Sequence, residues 1–212
     1  MKNLLIIGAG GFGRELYQWC KEINAVTPKW SIRGFLDDNL EALDGIDCDI
    51  NVVGTIKDWQ PSYDEEFVLG IAEPTTKEKI VSLLESKGAS FVSVIHPEAK
   101  IGDFNKLGKG VVIYPGARVT VNATIGDFAT ILDLATVGHD AIVGNFTTVC
   151  GSCGINGHVA VADHVFIGSH VTVAPGCKIG SGAYVGGGSV VVKNVRAGYR
   201  VFGNPAKKLM LE

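Results

Sequence analysis

The chain has 212 residues and a formal net charge of −3, with 19 Lys and Arg against 22 Asp and Glu. This length allows a sizeable core in one or two domains, and the acidic balance argues against a nucleic-acid-binding surface. Glycines and charges interrupt every apolar run before it reaches the length of a membrane span, and the apolar start leads into glycines rather than a cleavage site. We therefore expect a cytoplasmic protein with no membrane span.

The first 91 residues alternate between strand and helix patterns, which predicts a small parallel α/β sheet. The second helix is predicted to be capped by Thr75, with Lys77 and Glu78 on its exposed side. The predicted strands are Leu4–Ile7, Ile32–Leu36, Phe67–Ile71 and Phe91–Ile95, and the predicted helices are Arg14–Ile23 and Thr75 to about Lys87.

A glycine-rich turn follows the first predicted strand. Gly8, Gly10 and Gly13 match G-x-G-x-x-G between a strand and a helix, and Asp37 and Asp38 end the second strand. Such glycines let backbone N–H groups approach a phosphate, while the carboxylates could accept from a ribose or a base. NAD binding is disfavoured because the segment before the repeats has room for only about one mononucleotide half. The alternative is that the glycines only permit a tight strand–helix turn.

The second half of the chain repeats every six residues. Every sixth residue from Ile95 to Val191 is aliphatic, the next residue is often glycine, and the residue four positions on is usually small. Helices and sheets have periods of about 3.6 and 2.0, so this period predicts a parallel β-helix instead. Cys153 and Cys177 occupy the small inward position, which favours reduced core cysteines.

These repeats resemble those of the hexapeptide-repeat acyltransferases, whose left-handed β-helix has a triangular cross-section with three hexads per coil. Four motifs narrow the resemblance, namely Gly-Ala-Gly-Gly-Phe-Gly from Gly8, Phe-Leu-Asp-Asp from Phe35, His96-Pro97, and Val-Gly-His-Asp from Val137. They are similar to bacterial sugar acetyltransferases related to sialic acid O-acetyltransferases and to N-acetyltransferases of nucleotide-linked 4-amino sugars.

The resemblance implies the domain organisation. It predicts a small Rossmann-like α/β domain over residues 1–92 that binds the nucleotide-linked sugar. A left-handed β-helix acyltransferase domain with a C-terminal tail then occupies residues 93–212. The family also implies a homotrimer, with active sites between neighbouring β-helices.

The resemblance further implies the chemistry and the site residues. It predicts acetyl transfer from acetyl-CoA to an amino group of a nucleotide-linked sugar, without a metal. His139 is the predicted general base, and Asp140 supports it. The predicted substrate-binding residues are Gly10, Gly11, Phe12 and Asp37; some relatives have histidine in place of Phe12.

The C-terminal repeats resemble the acyl-coenzyme A end of these enzymes, where glycines let the pantetheine arm lie against the backbone. Lys193, Lys207 and Lys208 could meet the coenzyme phosphates as point charges. The alternative is coil closure followed by a polar tail. The predicted cofactor-binding residues are Gly186, Gly187, Gly188, Lys193, Asn204 and Lys207.

Hexad counting predicts where the histidines lie. Residues 18 apart stack on neighbouring coils, so Asp140 and His158 should share one face. His158, His164 and His170 take the same position in consecutive hexads and should point from three faces, so one chain cannot gather them around a metal.

The remaining histidines and Thr148 have other predicted roles. His164 and His170 are predicted to be solvated turn residues, and His96 to be structural. Some relatives carry a second active-site histidine where this chain has Thr148. His158 could take over a polar role.

Two other functions stay open. One is O-acetylation of a sialic acid or another sugar, which absence of nucleotide binding would favour. The other is a non-catalytic, nucleotide-binding trimeric scaffold, which absence of acetyl-CoA binding would favour.

Overall fold

The structure, a computed structural model, describes residues 1–209 and divides after Val94 into two compact units. The first unit is a four-stranded parallel sheet in the order β3-β2-β1-β4 with two helices. Its elements are β1 Lys2–Ile7, α1 Gly11–Val26, β2 Trp30–Leu36, β3 Val52–Gly54, β4 Glu65–Leu69 and α2 Pro74–Ser86.

The first unit confirms the predicted strand–helix alternation, with differences at the element ends. β3 was not predicted because it has only three residues, Val52–Gly54, and its pairing with β2 rather than its local pattern defines it. Helix α1 begins at Gly11, directly after the glycine turn, and buries Leu16, Cys20 and Ile23 on one face.

The start of α2 differs from the prediction. The N-cap is Glu73 rather than Thr75, because the Glu73 carboxylate accepts the backbone N–H groups of Thr75 and Thr76 at 3.2 and 2.6 Å. Lys77 is wholly buried instead of exposed. With the helix beginning at Pro74, Lys77 falls on the helical stripe that faces inward, together with Pro74, Val81 and Leu84.

The second unit is a left-handed parallel β-helix built from strands of two or three residues. The six-residue period predicts the parallel β-helix, and the family resemblance predicts its hand. Its strands are β5 Val94–Ile95, β6 Lys100–Ile101, β7 Lys106–Leu107, β8 Val112–Ile113, β9 Arg118–Val119, β10 Thr124–Ile125, β11 Thr130–Ile131, β12 Thr136–Val137, β13 Ile142–Val143, β14 Thr148–Val149, β15 Gly154–Ile155, β16 Ala160–Val161, β17 Phe166–Ile167, β18 Thr172–Val173, β19 Lys178–Ile179, β20 Tyr184–Val185, β21 Val190–Val191, β22 Arg200–Phe202 and β23 Lys207–Lys208.

The strands form three sheets, one for each side of the coil, and from β5 to β21 strands that are three apart along the chain pair with each other. At the C-terminal end β20 pairs with β22 instead. Thr130 pairs with Thr148, and Thr148 with Phe166, which is a constant step of 18 residues. The predicted stacking of residues 18 apart is thereby confirmed. β23 runs antiparallel to β22 at the C-terminal end.

The hexad positions explain this regularity. From Ile113 to Val191 the repeated aliphatic residues are almost wholly buried in one core. The fourth hexad position is a turn with φ near +60°, and within residues 95–209 ten residues other than glycine adopt it. This conformation costs free energy in residues with a Cβ, and the backbone hydrogen bonds between coils offset that cost.

Within residues 1–209 no helix is long and apolar enough to span a membrane. All five cysteines are free thiols, and Cys153 and Cys177 are buried in the core as predicted. Burial raises the pKa of the Cys153 thiol to about 11, so this group stays protonated near neutrality.

Candidate active site

The turn between β12 and β13 brings His139 and Asp140 together. On a strand these neighbours would point to opposite faces. Here Asp140 adopts φ +57° and donates its N–H to the Val121 carbonyl at 3.1 Å. The His139 Nδ1 atom lies 2.8 Å from Asp140 Oδ2. The carboxylate therefore holds one ring nitrogen and leaves Nε2 for chemistry.

His158 stands one coil further along, as hexad counting predicts. It repeats the turn conformation of Asp140, with φ +58°, and donates its N–H to the His139 carbonyl at 3.0 Å. Its Nε2 atom lies 3.9 Å from Asp140 Oδ2, which is too long for a hydrogen bond. The rings of His139 and His158 meet edge to face, with centroids 5.0 Å apart.

Gly157 provides the space for the His139 ring. A Cβ at Gly157 would lie 2.5 Å from His139 Nε2, closer than nonbonded atoms approach. Gly157 was not among the residues predicted from the sequence, although its position 18 residues after His139 places it on the neighbouring coil, beside His139. The side chains of His139, Asp140 and His158 are 56%, 43% and 66% exposed, so a substrate can reach them.

The other histidines and Thr148 belong to other repeats of the β-helix and are not part of this cluster. His170 is exposed on a turn as predicted, whereas His164 is half-buried because its ring stacks on Phe146 at 5.4 Å. His96 is buried, and its Nδ1 accepts the Glu98 N–H at 3.2 Å. Thr148 is wholly buried on β14.

The glycine turn of the first unit is tied to the end of β2. Gly8 adopts φ +92°. The Ala9 N–H donates to Asp37 Oδ2 at 2.8 Å. A Cβ at Gly13 would lie 1.8 Å from the Gly8 carbonyl oxygen, so only glycine lets α1 approach β1 this closely. The structure thus brings Asp37 to the turn, with Gly10 and Gly11 exposed where α1 begins.

Arg14 was missed by sequence analysis and belongs to the same turn. Its guanidinium Nη2 atom lies 4.0 Å from the place where a Cβ on Gly11 would be, and its Nε is buried without a hydrogen-bond partner. A guanidinium beside exposed N–H groups at a helix N-terminus forms an arrangement suited to an anion. The sequence feature that could have indicated Arg14 is its position in the first turn of the predicted helix, directly after the glycine motif.

The C-terminal coils hold the predicted cofactor residues. Gly188 has φ +71°, and a Cβ at Gly186 would lie 2.6 Å from the Phe202 ring. β12, β15 and β21 belong to one sheet. Each is followed, two residues after its end, by one of the residues His139, Gly157 and Lys193, so these three occupy equivalent positions on different coils. A cavity of about 410 Å³ lies beside this region, with the cations Arg200 and Lys208 in its lining. The side chains of Lys193, Asn204 and Lys207 are exposed.

Comparison with known proteins covers both units. The PglD N-terminal domain family matches residues 3–84, and the bacterial transferase hexapeptide family matches residues 158–193. The chain is 31% identical to WeeI from Acinetobacter baumannii, with a TM-score of 0.87 and coverage of 99% of this chain and 100% of WeeI. No curated protein sequence matches the chain.

Two further solved structures are 25% identical to this chain, each with a TM-score of 0.88. One is the acetyltransferase domain of PglB from Neisseria gonorrhoeae in complex with acetyl coenzyme A, covering 98% of this chain and 99% of that domain. The other is PerB from Caulobacter crescentus in complex with CoA and GDP-perosamine, covering 99% of this chain and 98% of PerB. With a full-length relative above 30% identity and both family matches in place, this chain belongs to the hexapeptide-repeat sugar acetyltransferases.

Proposed function

We propose that this enzyme transfers an acetyl group from acetyl-CoA to an amino group of a nucleotide-linked sugar, with His139 as general base and Asp140 as its support. The observation that carries the proposal is the 2.8 Å contact between His139 Nδ1 and Asp140 Oδ2 on an exposed turn of the β-helix. This contact leaves Nε2 as the atom that can accept a proton.

The proposed reaction is direct attack on the thioester. The acceptor nitrogen forms a bond to the acetyl carbonyl carbon, and His139 Nε2 takes the proton that the nitrogen loses. The carbon–sulfur bond then breaks, and coenzyme A leaves as the thiol after receiving a proton. Asp140 fixes the tautomer with the proton on Nδ1 and stabilises the imidazolium that forms.

The donor site is proposed to follow the edge of the β-helix from His139 towards Lys193. His139 follows β12 and Lys193 follows β21, and these two strands are three coils apart in one sheet. At a strand spacing of 4.8 Å, the distance between the two strands is about 14 Å. Gly157 lies next to His139 on this line, where the absence of a Cβ leaves space for the His139 ring. Lys193 and Lys207 would meet the coenzyme phosphates, and Asn204 and Gly186–Gly188 would line the path. The acetyl-CoA complex of the PglB domain supports acetyl-CoA as the donor.

The acceptor nucleotide is proposed to bind at the glycine turn of the first unit. Gly10, Gly11 and Phe12 begin α1, where backbone N–H groups favour a phosphate. Arg14 adds a cation. Each Asp37 carboxylate oxygen already accepts one backbone N–H, from Ala9 or Asn39, and keeps a lone pair for a ribose or base. The GDP-perosamine complex of PerB supports a nucleotide-linked amino sugar as the class of acceptor.

We further propose that the protein is a cytoplasmic homotrimer. Apolar side chains flank the His139 turn, and Val121 and Ile142 are 40% and 48% exposed. Covering such residues with a second β-helix would remove apolar surface from water and place the site at an interface. Light scattering on the purified protein tests this, because a monomeric mass would contradict it.

The decisive experiment is thiol release from acetyl-CoA against UDP-, GDP- and dTDP-linked 4-amino sugars, with sialic acid as a further acceptor. Rapid, selective release with one nucleotide-linked amino sugar is the expected result. Release only with sialic acid would favour O-acetylation. No release and no acetyl-CoA binding would favour a non-catalytic scaffold.

A further inference from the structure

We propose that His139, Asp140 and His158 form an inhibitory binding site for a divalent transition-metal ion such as Zn²⁺. Their ligand atoms all lie within 4.8 Å of one another. Among residues 1–209 this is the one group of three histidine, cysteine or acidic side chains with that property. The inhibition rests on the proposed function, whereas metal binding can be measured without it.

The distances between the ligand atoms suit zinc. Zinc binds imidazole nitrogen and carboxylate oxygen at about 2.0–2.2 Å, so tetrahedral ligand atoms lie about 3.3 Å apart. Asp140 Oδ2 lies 2.8 Å from His139 Nδ1 and 3.9 Å from His158 Nε2, and these values bracket that separation. Small side-chain rotations would bring all three atoms onto one ion.

The backbone under the three side chains holds them in place. Asp140 and His158 occupy equivalent turns on adjacent coils, and the His158 N–H donates to the His139 carbonyl. The side chains above these turns are about half exposed, so a hydrated ion can enter and keep water in its open positions. Two imidazoles favour Zn²⁺ over Mg²⁺, which prefers oxygen ligands.

Metal binding at this site would stop the proposed chemistry at a defined atom. A metal ion on His139 Nδ1 displaces the hydrogen bond to Asp140 and forces the remaining ring proton onto Nε2. That nitrogen could then no longer accept a proton from the acceptor amine. Zinc should therefore lower kcat, and Mg²⁺ should not.

The test measures zinc binding to tag-free protein by competition with a fluorescent zinc indicator. His158→Ala removes one of the three ligands, and His170→Ala removes an exposed histidine from another turn as the matched control. We expect one zinc ion per chain in the wild type and in His170→Ala, and at least ten-fold weaker binding in His158→Ala. Equal zinc affinity in the wild type and His158→Ala, or no binding by the wild type, would overturn the proposed site.

Turnover assays then test the inhibition separately. In the wild type, the zinc concentration that halves turnover should match the dissociation constant, and in His158→Ala it should rise at least ten-fold. If one zinc ion binds per chain and turnover does not change, the inhibition is contradicted but the metal-binding site is retained. If no acceptor is acetylated without zinc, the proposed function fails, and the indicator measurement still decides whether the site binds metal.

Discussion

The two units of this chain position functional groups in different ways. In the β-helix, each side chain is placed by its position in a six-residue repeat, and His139, Gly157 and His158 meet because neighbouring coils are 18 residues apart. In the α/β unit, Ala9 and Asp37 meet because two strands that are distant in sequence pair with each other. The repeat allows the arrangement in the β-helix to be predicted from the sequence. The arrangement in the α/β unit depends on which strands become neighbours in the fold.

The largest expected effect tests the chemistry of the β-helix. We expect His139→Ala to fold normally and to lose turnover by about 10²- to 10⁴-fold, the usual contribution of a general base. Steady-state kinetics measure the loss, and circular dichroism checks the fold. His170→Ala, which removes an exposed histidine from another turn, should keep wild-type turnover. Wild-type turnover in His139→Ala would remove this residue from the mechanism.

A second substitution tests whether the stacking of coils positions the base. In Gly157→Ala the new Cβ would lie 2.5 Å from His139 Nε2 and should displace the ring. Because a displacement of about 1 Å can cost a factor of 100, we expect kcat to fall by roughly that factor. Gly154→Ala is the matched control, since a Cβ there meets nothing within 4 Å. Equal kcat in the two variants would show that the repeat does not fix the ring.

A smaller effect is expected in the α/β unit. Arg14→Ala should raise KM for the nucleotide-linked acceptor about ten-fold with little change in kcat, because one charge-assisted hydrogen bond to a phosphate is lost. Arg33→Ala, which removes an exposed cation from β2, is the control and should leave KM unchanged. A fall in kcat at constant KM would contradict a binding role for Arg14.

The smallest effect concerns the stability of the α/β unit. Burial raises the pKa of Glu73, but hydrogen bonds from Thr76 and Thr75 outweigh this and lower the pKa to about 2. The ionised Glu73 carboxylate therefore stabilises the folded state fully at pH values above its unfolded-state pKa of about 4.3. This stabilisation is lost as the pH falls towards 2. We expect Glu73→Ala to lower the free energy of unfolding by about 1 kcal/mol at neutral pH.

Denaturant titrations at several pH values measure this effect. The difference between the wild type and Glu73→Ala should shrink between pH 5 and pH 2, because the protonated carboxyl no longer caps α2 as a charged group. Glu15→Ala, which removes an exposed carboxylate from α1, serves as the control. A difference that does not change with pH would show that the charge of Glu73 does not stabilise the helix.

In the α/β unit, the predictions from the sequence were wrong in two places, the short strand β3 and the start of α2. β3 has too few residues for a periodic signal and exists through its pairing with β2. Thr75 was a reasonable cap by residue type, but Pro74 fixes an earlier start and makes Glu73 the cap. Lys77 was predicted to lie on the exposed side of the helix, and it is buried because that start places it on the inward stripe.

The sequence by itself determined the β-helix, its core positions and the neighbouring coils of Asp140 and His158, because a strict six-residue repeat leaves one register. Only the tertiary structure decided the contact of His139 with Asp140, since a left-handed turn has to bring two sequence neighbours together. It likewise decided the space at Gly157 and the bond from Ala9 to Asp37, because each depends on atoms supplied by another coil or strand. The burial of the Arg14 Nε atom is also a property of the folded α/β unit rather than of the sequence pattern.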